Sequence, residues 1–101
     1  MAKISMVERE KRRSKLNQKF NKKRLELKIL ISSPHSSDDE RVEAERKLQT
    51  LPRDSSRSRQ RNRCRMCGRS RAYNRLTGLC RIHMRGAVMN GLVPGMHKAS
   101  W

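Results

Sequence analysis

The sequence is poor in aromatic residues, with Phe20, Tyr73 and Trp101 as the only three in 101 positions. Hydrophobic residues make up 34% of the chain, and no apolar run approaches the roughly eighteen residues that a membrane span needs. The first residues also lack the hydrophobic stretch of a secretory signal. Acidic residues almost vanish from the second half, where Asp54 alone stands against 12 bases. Cysteine is limited to Cys64, Cys67 and Cys80, an odd number that cannot all pair, and thiols without a secretory signal are expected to stay reduced. Together these absences exclude a membrane protein, a secreted disulfide scaffold and an enzyme built around a deep apolar pocket. A chain of this length buries a modest share of its surface even with ordinary composition, so a self-sufficient core is not expected.

What the sequence has instead is positive charge, 26 Lys and Arg against 9 Asp and Glu, for a net charge of +17. Residues 1–50 hold 14 bases and 8 acids, net +6, and residues 51–101 hold 12 bases and 1 acid, net +11. Arg57, Arg59, Arg61, Arg63, Arg65, Arg69, Arg71, Arg75, Arg81 and Arg85 fall in a stretch without a single carboxylate. Such charges repel one another and weaken a compact state unless a counter-ion is supplied. The planar guanidinium binds phosphate bidentately and stacks on bases, so the choice of Arg over Lys points to nucleic acid. A disordered basic tail is the plainer reading of such a run. Here Cys, Gly, Tyr and Leu are interleaved at spaced positions, which favours an ordered, RNA-facing segment.

The fold class expected is mainly α with irregular extended segments. Residues 3–31 carry no Pro or Gly and are rich in Glu, Lys, Arg and Leu, as a long helix requires. Leu16, Phe20, Leu27, Leu30 and Ile31 share one face of it, with Ile4 and Val7 on an earlier stripe. Residues 8–15 have no apolar side chain, so this part is expected to lie along phosphates, supported by pairs such as Glu8–Arg12. Ser32-Ser33-Pro34 ends the helix. Ser37-Asp38-Asp39-Glu40 has the pattern of a capping box with acids in the first turn, opening a second helix over 38–49 whose Val42 and Leu48 would face the first in an α-hairpin. Its carboxylates read as capping and charge balance rather than catalysis, because the one nearby histidine, His35, is on a loop. Pro52 closes this helix. Residues 57–79 read as extended or looped chain, and 80–90 as a short last helix stopped by Gly91. The division expected is a helical extension over 1–50 and an arginine-rich module over 51–101.

The cysteines fall in one window, Cys64-x-x-Cys67, twelve residues, then Cys80-x-x-His83. Two ligand pairs with two residues between each are the spacing of a four-ligand zinc site. Gly68 supplies the unusual backbone angles of a turn after the first pair, and His83 follows Cys80 on one face of a helix start. A Cys₃His site is closed, so its role is structural, and binding energy at such a site becomes folding energy. The competing readings are small buried cysteines, or a redox pair at Cys64 and Cys67, which lacks the βαβ setting such a motif calls for. His35 and His97 are not spaced to join the cluster.

Several segments resemble a known family: Leu51-Pro52-Arg53-Asp54-Ser55-Ser56, Arg61-Asn62-Arg63-Cys64, Gly68-Arg69, Gly78-Leu79, and the ending Gly91-x-x-Pro94-Gly95-x-x-Lys98-Ala99-Ser100-Trp101. They look like bacterial small-subunit ribosomal protein fourteen, and Met1-Ala2-Lys3 with the long basic helix look like the long form of that family. The resemblance implies a structural, non-enzymatic protein that binds the 3′ major domain of small-subunit ribosomal RNA in the head, supports head assembly and conformation near the decoding site, and neighbours the third, tenth and nineteenth small-subunit proteins. It places the protein in ribosomes, cytoplasmic or organellar. Short members of the family carry zinc through four cysteines, and here His83 stands where the fourth would be. Around Arg69-Ser70-Arg71-Ala72-Tyr73 the family's proline and glycine are replaced, which bears on the local turn.

Read from the residues, the mechanism is neutralisation of an RNA backbone by Arg and Lys together with recognition of folded shape. Arg63, Arg65, Arg69, Arg71, Arg75 and Arg81 are the first-rank phosphate ligands, with Arg57, Arg59, Arg61, Arg85 and Lys98 behind them. Tyr73 is placed to stack on a base, and Trp101 to dock on RNA or a protein neighbour. On the duplex-DNA calibration, about six to ten phosphate contacts imply a loss of roughly three to five orders of magnitude in affinity between about 50 and about 200 mM salt. Two rival classes are a DNA-binding zinc-module transcription factor, for which Arg81–Asn90 is a thin recognition helix, and a thiol redox enzyme.

Overall fold

The computed structural model describes residues 1–99. Among the described residues the chain forms three α-helices, α1 (Ile4–Ser32), α2 (Asp38–Thr50) and α3 (Arg81–Met89), with a two-residue strand pair, β1 (Tyr73–Asn74) and β2 (Leu79–Cys80), and two single 3₁₀ turns at Arg53–Ser55 and Arg57–Arg59. It is mainly helical, as its composition predicts. None of these helices is long and apolar enough to cross a membrane. Two compact units emerge: Glu8–Gln60, and a discontinuous one that joins Met1–Val7 to the chain from Arg61 on.

In the first of these units the apolar contacts are few. Leu27, Ala44 and Leu51 are buried, with Phe20, Ile31 and Leu48 packed against them. The α-hairpin is therefore present, but two of the residues expected to build it are not. Val42 is 47% exposed and Leu30 48% exposed, while the small Ala44 is buried in one cluster with Leu27 and Leu51. The Ser37 capping box is complete: the Ser37 side chain accepts from the Glu40 backbone N–H, and the Glu40 carboxylate accepts from the Ser37 N–H. This satisfies two of the donors left open at a helix start.

The polar stretch 8–15 holds itself by a different pairing from the one its spacing suggests. Glu8 pairs with Lys11 at 2.6 Å, and the lysine hydrogen bond draws its carboxyl below the ordinary value. Arg13 reaches Asp54 at 3.3 Å, so part of the charge expected to lie along phosphates is used within the chain. Further along α1, Asn17 donates to the Ser55 carbonyl at 2.9 Å, and Arg24 donates to Ser55 Oγ at 2.8 Å and to the Pro52 carbonyl at 3.2 Å. Ser55 is completely buried. Where hydrophobic area is scarce, buried polar bonds fix the 53–59 turns to the helix.

In the other unit β1 and β2 pair antiparallel, with Tyr73 opposite Cys80 and Asn74 opposite Leu79. The stretch expected to be wholly extended or looped thus contains a hairpin. Its loop is built by Asn74, whose side-chain oxygen accepts from the N–H groups of Leu76 and Thr77, an Asx turn that needs no apolar signal. The last helix ends as its glycine predicts. Gly91 is left-handed (φ +69), its N–H donates to the Val88 carbonyl and that of Leu92 to Ala87, the paired bonds of a Schellman cap.

Candidate metal centre and arginine surface

Residues 64–69 form a tight knuckle. The Cys64 N–H donates to the Arg69 carbonyl and the Gly68 N–H to the Cys64 carbonyl, both at 2.9 Å. Gly68 closes the turn at φ +71. The Arg65 N–H donates to the Gly78 carbonyl at 3.1 Å and the Arg81 N–H to the Ala72 carbonyl at 2.9 Å, tying the knuckle and the start of α3 to the hairpin. The N-terminus joins in, because the Ala2 N–H donates to the Cys67 carbonyl at 3.1 Å. Nothing in the spacing of the sequence signals that last contact, which spans more than sixty residues.

This scaffold brings Cys64, Cys67, Cys80 and His83 together, with one ligand atom from each and all four within 4.8 Å of one another. Cys80 caps α3, which puts His83 one turn in and on the same side. Cys67 Sγ lies 3.8 Å from Cys80 Sγ, and His83 Nδ1 lies 3.3 Å from Cys80 Sγ and 3.5 Å from Cys64 Sγ. Around a tetrahedral zinc, metal–sulfur and metal–nitrogen bonds of about 2.3 and 2.0–2.1 Å put neighbouring sulfurs about 3.8 Å apart and sulfur and nitrogen about 3.5 Å apart. The donor set and spacing fit a closed, four-coordinate structural site and leave no position for a substrate.

At Cys64 and Cys80 the electrostatics run toward the deprotonated sulfur that a metal requires. Burial pushes the Cys64 thiol up, but the backbone amides of Cys67, Cys80 and Met66, with the His83 ring, outweigh it and bring it from 9.0 down to about 6. The His83 backbone amide, acting against burial, likewise lowers Cys80. Cys67 is different. The Arg69 amide pulls it down, yet burial and the Cys80 and Cys64 sulfurs together leave it raised. The two sulfurs beside His83, Cys80 first, raise its own pKa.

Around this centre Arg61, Arg65, Arg71, Arg75, Arg81, Arg85 and Lys98 are exposed, and Arg63 and Arg69 are half-buried. Arg63 donates to the Gly68 carbonyl at 2.9 Å, so one edge of its guanidinium is committed to the knuckle. Arg63, Arg69 and Arg71 line one notch. Tyr73 is half-buried in β1. In the other unit Arg57 is exposed, and Arg59 pairs with Asp54 at 2.9 Å. Trp101 lies outside the described residues. His35 and His97 are exposed and apart from the metal cluster.

Comparison with known proteins gives this arrangement its context. The model of the family described as ribosomal protein S14p/S29e matches residues 47–100. The chain is also 54% identical over 101 residues to the small ribosomal subunit protein uS14 of Halorhodospira halophila (strain DSM 244 / SL1), covering all of both chains. A family match over more than half the chain, together with this full-length similarity, shows that the protein belongs to the ribosomal protein S14p/S29e family.

Proposed function

We propose that the protein is a structural constituent of the small ribosomal subunit that binds the 3′ major domain of its RNA in the head, where it supports head assembly and conformation near the decoding site. The observation that carries this reading is the full-length similarity to a uS14 protein, and the carboxylate-free arginine surface around a closed Cys₃His cluster supports it. The chain acts by charge and shape rather than catalysis. Exposed guanidiniums of Arg65, Arg71, Arg75 and Arg81 neutralise phosphates, Arg57, Arg59, Arg61, Arg85 and Lys98 extend the surface, and Tyr73 offers its ring for stacking on a base. The cluster takes zinc, whose binding energy stabilises a segment with almost no apolar core. Its protein neighbours are the third, tenth and nineteenth small-subunit proteins, and its place is the ribosome.

The test is binding of the metal-loaded full chain to a 3′ major domain RNA fragment and to duplex DNA across a salt series. Preference for the folded RNA, with log affinity falling linearly in log salt, supports the reading. Sequence-selective preference for duplex DNA overturns it in favour of a zinc-module transcription factor.

A further inference from the structure

The arginines of the metal-bearing unit do not form a uniform field. Arg63, Arg69 and Arg71 come together with Ser70, Met1 and Ala2 around one open notch of about 270 Å³. Two features make it a built site rather than a chance gap. Its arginines sit on the knuckle and the turn after it, where the Arg63 bond to the Gly68 carbonyl and the backbone bond from Cys64 to Arg69 hold the chain. Its opposite wall is the N-terminal segment, held by the Ala2 bond to Cys67. Three cations with no carboxylate among the lining residues favour a ligand of concentrated negative charge.

We infer that this notch is a discrete phosphate-binding site that chelates one phosphodiester of an RNA strand, with the N-terminal residues as its second wall. The inference rests on the RNA-binding reading and sharpens it. Instead of spreading evenly over the arginines, contact concentrates where three guanidiniums converge. Lys22 and Lys23, exposed on α1 outside this unit, do not line the notch and serve as internal controls.

The experiment titrates the metal-loaded full chain with inorganic phosphate and separately with hexauridylate, following the side-chain N–H signals of the arginines and the backbone amides of Ala2 and Ser70 by NMR. The expected result is that both probes shift Arg63, Arg69, Arg71, Ala2 and Ser70 first. R69Q/R71Q lowers hexauridylate affinity by about tenfold or more, while K22Q/K23Q lowers it by less than about threefold. Metal content is measured for each variant, so that a collapsed fold is recognised. Shifts spread evenly over all arginines, or equal losses in the two double variants, overturn the notch. If the 3′ major domain fragment still binds in that case, the wider reading stands. If the fragment is not bound either, both fall. Shifts with phosphate but not with hexauridylate assign the site to free phosphate and overturn the RNA part of the inference.

Discussion

The Val7 side chain occupies the space that a side chain on Gly68 would need, with its Cγ2 2.7 Å from the position of a built Cβ. The first turn of α1 is thus pressed against the knuckle that presents Cys64 and Cys67, and Gly68 is fixed both by that contact and by its left-handed backbone. Gly68→Ala is expected to cost about 1–2 kcal/mol from the backbone alone, with the clash added. In a chelator competition its metal affinity should drop by about tenfold or more. The pair Gly68→Ala/Val7→Ala should recover only the part due to the clash. Unchanged affinity in the single variant would detach the N-terminal contact from the metal centre.

Ala72 holds φ +52 without being a glycine. The turn survives because the Arg81 N–H is bonded to the Ala72 carbonyl. Ala72→Gly should relieve about 1–2 kcal/mol of left-handed strain and return part of it as extra freedom in the unfolded chain. A net gain of about 0.5–1 kcal/mol is expected, read as a higher melting temperature of the metal-loaded protein. A lower one would mean that the turn carries no strain.

Ser55 is the fully buried polar residue that joins Arg24 to the Pro52 carbonyl. Ser55→Ala leaves the guanidinium without that acceptor and should cost about 1–3 kcal/mol in urea unfolding of the full chain, with no change in metal content. Loss of metal with the stability would contradict a role confined to this unit.

Asp54 accepts from Arg59, which with Arg13 holds its carboxyl below the ordinary 3.8 against the opposing effect of burial. A lowered carboxylate contributes stability that is fully present above its unfolded value and is lost as the pH falls through the folded one. Asp54→Asn should therefore be less stable than wild type at neutral pH, and the gap should close only well below pH 4 on acid unfolding. A gap that persists unchanged into strong acid would assign the effect to packing.

The parts of the fold legible in the sequence are those written in local chemistry. Ser37 with Glu40 marks the start of α2, Gly91 the end of α3, and the doubled two-residue spacing of Cys64, Cys67, Cys80 and His83 marks the ligand cluster. Tertiary choices left weaker traces. Val42 and Ala44 are both apolar, and only packing with Leu27 and Leu51 decides that the smaller one is inside. The hairpin of β1 and β2 carries too few residues for an alternating pattern and is set by the Asn74 side chain. The contacts of Arg13 and Arg24 with the 52–55 segment use a residue type whose abundance reads as RNA-facing charge, so spacing alone does not reveal their structural use. The bond from Ala2 to Cys67 has no sequence signal.

Cys64, Cys67, Cys80 and His83 are expected to form one closed zinc site in the assembled particle. Its most direct test is metal content by mass spectrometry of small ribosomal subunits purified without chelator, carrying either the wild-type chain or Cys80→Ser. Wild-type particles should carry one zinc more than those with the variant. Equal zinc in the two particles would contradict it, and would leave RNA and neighbouring proteins alone to hold the knuckle in place.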